Sequence, residues 1–325
     1  MSEKYNLLVL LGPTASGKTA LGVKLAAALG GEIVSADSRQ VYRELDLGAG
    51  KDRESYRLGP LVVPVHLIDV VDLGRQYSVF DYQRDAYRVL GELLARGVLP
   101  VMVGGSGMYL EAVLLDYHLP EVNPDPALRK ELESLDDRQL MERLLRVKPR
   151  LHATTDTSSR QNMIRAIEIA ELSPLGRRPS RPPLAPLVLG VEISGPELGQ
   201  RIRQRLRRRL EAGLIEEVEK ILAGGTPPER LEALGLEYRF VTRYLRGDIA
   251  DREQLFAELS RAIVAFARRQ RTWFRRMQRR GVTIIWLRGD VERQALELVR
   301  EKLPERWRPQ YEALIQPPPI SSSPR

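Results

Sequence analysis

Short apolar runs alternate with amphipathic segments along the first third of the chain. Residues 5–11 are mostly apolar and lead into Gly-Pro, and residues 18–29 then place leucines at helical spacing before two glycines. This order predicts a buried strand, a tight loop and a helix. Further short apolar stretches predict strands at 32–37, within 62–71 and at 98–105.

A helix is predicted from Ser78 to Arg96. Ser78 can cap its N-terminus, and Asp81, three residues on, can complete a capping box. The positions expected to face the core recur at helical spacing, at Tyr82, Ala86, Val89, Leu90 and Leu93.

The pattern changes near residue 119, where prolines introduce charge-rich helical segments. An apolar strand pattern resumes at 187–193, and a last strand at 282–287 precedes a helix near 290–302. We therefore predict three parts: a catalytic core over 1–118 plus 186–315, a helical insertion domain over 119–185 and a disordered tail over 316–325.

The segment GPTASGKT, residues 12–19, has the spacing of a phosphate-binding loop. Its backbone amides can converge on a diphosphate, Lys18 can add a positive charge, and the Thr19 hydroxyl can bind Mg²⁺. A strand before the loop and a helix after it favour this function over a chance match. Strands alternating with helices then indicate an α/β fold of the P-loop NTPase-like type, a doubly wound and mainly parallel sheet that binds ligands at the carboxyl ends of its strands.

Three segments fall at such ends: the glycine loop, Asp37, and the glycines that begin at Gly104. We expect them to share one crevice. Asp37 can take a proton from an acceptor nucleophile, although it is also an ordinary residue to end a strand. A nucleoside triphosphatase usually has a carboxylate where the Gly104 loop lies, and Asp69 or Asp72 could supply one. Because both are equally ordinary at a strand end, ATP hydrolysis does not follow from the loop.

Composition narrows the functional classes. The chain has 325 residues, no cysteine, and 51 Lys plus Arg against 43 Asp plus Glu, for a net charge of +8. Disulfides and thiolate chemistry are therefore excluded, and a polyanionic partner is favoured. An apolar run of membrane-spanning length and a cleavable leader pattern are both missing, so we expect a cytoplasmic protein without a membrane partner. Nothing in the sequence requires an oligomer, so we also expect a monomer.

Two helical segments carry most of the arginine. In residues 201–210, apolar residues recur every fourth position at Ile202, Leu206 and Leu210, so Arg201, Arg205 and Arg209 should form one ridge. The ridge could bind phosphate, or be a solvated face balanced by Glu216, Glu217 and Glu219. In residues 266–276 we assign the arginines to RNA contact and place the intervening side chains in the core, at Phe266, Gln270, Trp273 and Phe274.

Several ordered motifs go beyond the phosphate loop: GPTASGKT, SADSRQVYRELDLGAGK, HLID, VGGSGMYLEAVL, RQNMIRAIEIA and RRQRTWFRR. Over residues 6–287 the chain resembles the bacterial tRNA dimethylallyltransferases, also called tRNA isopentenyltransferases. The resemblance implies transfer of the dimethylallyl group from dimethylallyl diphosphate to N6 of the adenosine 3′-adjacent to the anticodon, with Mg²⁺ and with the tRNA anticodon stem-loop as partner. The loop would then hold the departing diphosphate.

The same resemblance assigns roles to individual residues. Asp37 and Thr14 match catalytic positions, and Ser106 stands where the family usually has threonine; GAGKD around Lys51 departs from the family's GTAKP. The implied diphosphate-binding residues are Gly12, Thr14, Ala15, Ser16, Gly17, Lys18, Thr19, Arg201 and Arg205. The implied tRNA-binding residues are Asp37, Ser38, Arg39, Gln40, Ser106, Arg129, Gln161, Asn162, Met163, Ile164 and Arg165. Without the resemblance, Arg129 would be a solvated charge and residues 161–165 the start of a helix with Met163, Ile164 and Ile167 inward.

Two other functions remain open on the residues alone. A P-loop kinase for a small molecule or nucleoside would also use the loop, with Asp37 as the acceptor base. An RNA-binding protein with a regulatory nucleotide switch would use the loop and the arginines. Neither accounts for all the ordered motifs.

Overall fold

The chain forms two compact units, one of Met1–Asp116 with Arg181–Arg325 and one of Tyr117–Ser180. The computed structural model describes residues 5–117, 119, 125–149, 157, 160–172 and 180–307. The predicted tail, residues 316–325, lies outside these ranges.

A six-stranded parallel sheet organises the first unit. Its strand order is β5-β2-β6-β1-β7-β8, and every neighbouring pair runs parallel. A separate antiparallel pair, β3 with β4, was not predicted; it is exposed and lacks a long apolar run. The strands are β1 Leu7–Leu11, β2 Glu32–Ala36, β3 Arg57–Leu58, β4 Leu61–Val62, β5 Val65–His66, β6 Pro100–Gly104, β7 Pro186–Val191 and β8 Ile284–Leu287.

Both faces of this sheet are covered, which is why its strands read as continuous apolar runs. Alternate residues of β1 point to opposite faces of the sheet and enter different apolar cores. Leu7, Val9 and Leu11 belong to one core, and Leu8 and Leu10 belong to the other. The structure thus confirms the predicted doubly wound, mainly parallel α/β fold.

Most of the helices that the structure describes belong to the first unit, where several pack on the sheet, and three others form the second unit. The helix predicted from Ser78 is confirmed, since Ser78 and Asp81 form the capping box and all five predicted apolar positions are buried. In the described ranges, every helix is too short or too polar to cross a lipid bilayer. The helices are α1 Lys18–Leu29, α2 Val79–Ala95, α3 Gly107–Leu114, α4 Pro126–Ser134, α5 Asp137–Val147, α6 Arg160–Leu172, α7 Gly195–Glu211, α8 Leu214–Ala223, α9 Pro228–Ala233, α10 Leu236–Leu245, α11 Arg252–Arg279 and α12 Val291–Lys302; short 3₁₀ turns cover Arg53–Tyr56 and Glu305–Trp307.

The second unit packs α4, α5 and α6 around a small apolar core. Met163, Ile164 and Ile167 are buried there, as the sequence pattern predicts. Glu168 is fully buried beside them; Arg129 reaches both of its carboxylate oxygens at 2.9 Å, and Arg165 reaches one at 3.1 Å. Arg129 is therefore a structural ion-pair partner rather than a freely solvated charge, and tRNA contact by Arg129 and residues 161–165 stays a prediction.

Candidate active site

Three neighbouring strands of the sheet end at the same level. In the parallel ladder, Gly104 of β6 lies opposite Leu11 of β1 on one side and Ala36 of β2 on the other. A Cβ atom on Gly104 would lie 2.2 Å from the Ala36 carbonyl oxygen, so glycine is required for this close approach. The phosphate loop, Asp37 and the Gly104 loop consequently meet in one crevice, as predicted.

The phosphate loop is folded back on itself before α1. Ala15 and Gly17 adopt positive φ angles of 62° and 89°, a backbone geometry typical of anion-binding loops. The Ser16 amide donates to the Pro13 carbonyl at 3.2 Å, and Lys18 Nζ donates to the same oxygen at 3.2 Å. The Lys18 side chain therefore lies along the loop, where its charge can reach a bound anion.

Two cations of this region, Lys18 and Arg205, are only partly exposed. Burial lowers the pKa of Lys18 to about 8, although Asp37 opposes the shift. Burial and the neighbouring Arg209 lower the pKa of Arg205 to about 10 against the effect of Glu237. Both groups are positive at neutral pH, and the nearby carboxylates do not offset the effect of burial on their pKa values. Binding of an anion beside Lys18 and Arg205 would therefore be favourable.

Asp37 begins the loop that follows β2. Its carboxylate Oδ1 accepts a hydrogen bond from the Arg39 amide at 2.9 Å, and the next amide, of Ser38, donates to Ser106 Oγ at 2.9 Å. Gln40 is buried and joins Ser35 Oγ to the Gly50 carbonyl, so its side chain stabilises this loop. All four predicted tRNA-binding residues at 37–40 therefore line the cavity. The Gln40 side chain also stabilises the loop through its two hydrogen bonds.

The predicted arginine ridge of α7 follows the phosphate loop. Arg205 hydrogen-bonds the Thr14 hydroxyl, Arg209 pairs with Glu237 at 3.3 Å, and Arg201 lies near Gly17 while pairing with Glu197 at 2.7 Å. The solvated face is formed instead by the arginines at 203, 207 and 208, which are exposed.

Glu217 does not neutralise that ridge, contrary to the simpler interpretation. Its carboxylate accepts from the Leu47 amide at 2.6 Å and from the Tyr238 hydroxyl at 2.7 Å. It ties the segment after Gln40 to α8 and α10, a role that local charge patterning could not indicate.

The core assignment for α11 is correct for Phe274 and wrong for Phe266. Phe274 is fully buried, whereas Phe266 is 39% exposed and lines the crevice. Trp273 also lines it and packs against Gly107, where an added Cβ would lie 2.4 Å from the indole ring. Gln270 is buried, but it contacts the loops of the site rather than an apolar core, and sequence reasoning missed this.

Asp69 and Asp72, the two other carboxylates considered for a metal site, form ion pairs with nearby cationic side chains. Asp69 pairs with Lys51 at 2.5 Å and with Arg53 at 2.7 Å, and Asp72 pairs with Arg43 at 2.7 Å. Lys51 also donates to the Tyr42 carbonyl. These ion pairs brace the loop after β2 and leave Asp69 and Asp72 unsuited to a P-loop metal site.

The resulting cavity has a volume of about 570 Å³. It is lined on one side by the phosphate loop and on another by α7, α10 and α11. The lining includes Lys18 and five arginines, at 39, 205, 209, 239 and 269, but only two carboxylates, Asp37 and Glu237. Such a cavity suits a polyanion that reacts beside one carboxylate.

A magnesium ion is compatible with this lining only together with a bound anion. Thr19 lines the cavity, but among the described residues no group of three or more His, Asp or Glu side chains is placed to hold a metal. Mg²⁺ accepts such sites because it is commonly held by few protein oxygens and several phosphate oxygens.

The fold and this site define an α/β protein of the P-loop type with an acidic residue beside its glycine-rich loop. A family model described as IPP transferase matches residues 40–277, and one described as isopentenyl transferase matches residues 5–58. The chain belongs to the IPP transferase family, which confirms the resemblance drawn from the motifs.

Relatives and solved structures agree with this assignment. The chain is 51% identical to tRNA dimethylallyltransferase 1 of Geotalea uraniireducens (strain Rf4) over 297 residues, which cover 91% of this chain and 97% of the relative. It is similar to the crystal structure of the full-length tRNA isopentenylpyrophosphate transferase of Bacillus halodurans, at 30% identity and a TM-score of 0.66, over 96% of this chain and 100% of that one. A eukaryotic dimethylallyltransferase acting on tRNA shares the fold, with a TM-score of 0.73 at 19% identity, over 92% of this chain and 80% of that one.

Proposed function

We propose that this protein transfers the dimethylallyl group of dimethylallyl diphosphate to N6 of the adenosine 3′-adjacent to the anticodon of tRNA and releases diphosphate. The observation that carries the proposal is the convergence of Asp37, Lys18 and Arg205 in one cavity. Membership of the IPP transferase family favours this reaction over phosphoryl transfer by a kinase.

The reaction assigns a distinct task to each side of the cavity. The bond between the allylic carbon and the diphosphate oxygen breaks, a bond forms from N6 to that carbon, and N6 loses one proton. Lys18 and Arg205 stabilise the negative charge that develops on the leaving diphosphate. Asp37 accepts the N6 proton, because a carboxylate is basic enough to take a proton from nitrogen as it becomes positively charged. Thr14, held by Arg205, orients that arginine towards the diphosphate.

Magnesium would be held by the Thr19 hydroxyl and the oxygens of the diphosphate. When bound, it would supply further charge neutralisation for the leaving group. Lys18 and Arg205 keep the diphosphate in place around it, and the folded loop excludes bulk water from one side.

The acceptor base must leave the stack of its RNA loop to reach Asp37. The exposed arginines on α7 supply positive charge on the outer face of the same unit, which suits the phosphate backbone of an anticodon stem-loop. We expect the protein to act as a monomer, since the proposed site is formed within one chain, and to act in the cytoplasm.

The test is to incubate the purified protein with unmodified tRNA, Mg²⁺ and either dimethylallyl diphosphate or ATP, and to analyse the digested nucleosides by mass spectrometry. We expect a five-carbon addition on adenosine that requires the prenyl diphosphate. Asp37→Asn keeps the size of the side chain but removes the base, so it should bind dimethylallyl diphosphate normally and lose about 100-fold or more in turnover. Phosphate transfer from ATP without any prenyl adduct on several tRNAs would instead establish the kinase.

A further inference from the structure

Gln270 joins two loops of the active site through a single side chain. It lies on α11 and is only 8% exposed. Its Oε1 accepts a hydrogen bond from the Thr14 amide at 2.9 Å, and its Nε2 donates to the Gly105 carbonyl at 2.8 Å. Thr14 belongs to the phosphate loop and Gly105 to the loop after β6, so the amide spans the gap between them.

The connection continues from Gly105 to the base. The next residue, Ser106, donates its amide to the Ala36 carbonyl at 3.2 Å, and its Oγ accepts from the Ser38 amide at 2.9 Å. Asp37 lies between those two partners. A continuous series of hydrogen bonds and peptide links therefore runs from Thr14 through Gln270 and Ser106 to the segment that carries Asp37.

We propose that Gln270 is a positioning residue that holds the diphosphate loop at a fixed place relative to Asp37. This inference rests on the function proposed above. Gln270 is separated by 256 positions in the chain from Thr14, and its contribution is to the geometry of the reaction rather than to proton transfer or charge.

The chemistry of the contact requires a primary amide. One partner is an N–H donor and the other a carbonyl acceptor, and the glutamine amide can accept from the first and donate to the second at the same time. A carboxylate would face the Gly105 carbonyl with a second acceptor. It would also place a negative charge near Lys18, because a Cβ built on Gly105 lies 2.6 Å from Gln270 Nε2 and 3.4 Å from Lys18 Nζ.

Two backbone amides of the phosphate loop already have partners within the protein. The Thr14 amide is taken by Gln270 and the Ser16 amide by Pro13, so neither is directed at the anion. Diphosphate binding then relies on the other loop amides together with Lys18 and Arg205. An error in the loop position would therefore affect affinity strongly, because few donors remain to compensate.

The experiment compares Gln270→Met, Gln270→Glu and a matched control, Gln278→Glu, in the full chain. Methionine preserves the volume and removes both hydrogen bonds. Gln278 lies on the same helix, is exposed and accepts a hydrogen bond from Trp286, which a carboxylate can still do. Binding of inorganic diphosphate with Mg²⁺ is measured by calorimetry, at least 15 °C below each melting temperature, and the transfer assay gives kcat and the KM for each substrate.

We expect Gln270→Met to bind diphosphate about tenfold more weakly, in line with the loss of a buried hydrogen-bond pair, and Gln270→Glu to bind more weakly still. The KM for dimethylallyl diphosphate should rise and kcat should fall, while the KM for tRNA and all values for Gln278→Glu stay within about twofold. A folded Gln270→Met protein with wild-type diphosphate affinity and kcat would overturn the proposal, as would an equal rise in the KM for tRNA. If the wild type binds diphosphate but modifies no tRNA, the proposed function fails, whereas the binding comparison still decides whether Gln270 positions the loop.

Discussion

The charge of Lys18 should make diphosphate binding depend on pH. Burial lowers the pKa of its ammonium group to about 8, so the cation is present below that pH and is lost as the pH rises through it. The charged fraction falls from about 90% at pH 7 to about 10% at pH 9, and because a neutral amine does not attract an anion, affinity should fall about tenfold, or about 1.4 kcal/mol.

Calorimetric titration with inorganic diphosphate from pH 7 to pH 9 measures this effect. The ligand also titrates in this range, so the quantity to follow is the affinity of the wild type divided by that of Lys18→Ala, in which the ionisation of the ligand cancels. The ratio should fall about tenfold over the two pH units. A ratio that does not change with pH would refute the inference that a buried, titrating Lys18 binds the anion.

Other predictions concern the walls of the site and the ion pairs between α3 and the C-terminal end of α11. Arg205→Ala should weaken diphosphate binding in a salt-sensitive manner, measured by the same titration at two salt concentrations; an unchanged affinity would contradict its role. Glu111 is fully buried and pairs with Arg276 at 3.2 Å and Arg280 at 2.8 Å, so Glu111→Ala should lower the free energy of unfolding by about 3–5 kcal/mol in urea denaturation, and a loss below about 1 kcal/mol would contradict this. Gly107→Ala should cost about 1–3 kcal/mol because the new methyl meets the Trp273 ring; a melting temperature equal to that of the wild type would show that the ring moves freely.

Sequence alone predicts those helices, strands and loops whose residues follow a regular local pattern, such as apolar positions at helical spacing. The capped helix from Ser78 is such a case, and so is the phosphate loop, whose spacing reflects local backbone needs. The common crevice was also predictable, since parallel strands bring their carboxyl ends to one edge.

Contacts between distant segments could not be predicted in this way. Phe266 and Phe274 share one helical pattern, yet the buried stripe of α11 runs through Ala267 and Phe274, and Phe266 lies beside that stripe at the cavity. Gln270 and Glu217 look like ordinary helix residues, and their partners, Thr14 and Leu47, lie 256 and 170 positions away. Buried polar residues that satisfy remote backbone groups leave no periodic signal.

Because β2, β6 and β1 end at the level of Gly104, the sheet also fixes the distance between the two loops that would hold the substrates. Strands β2 and β1 flank β6, so the segments that carry Asp37 and the phosphate loop start two strand spacings apart, roughly 10 Å. That span has room for an exocyclic amine, an allylic carbon and a diphosphate in a row. Donor and acceptor would then be separated by the hydrogen-bond ladder of the sheet, which side-chain substitutions alter very little.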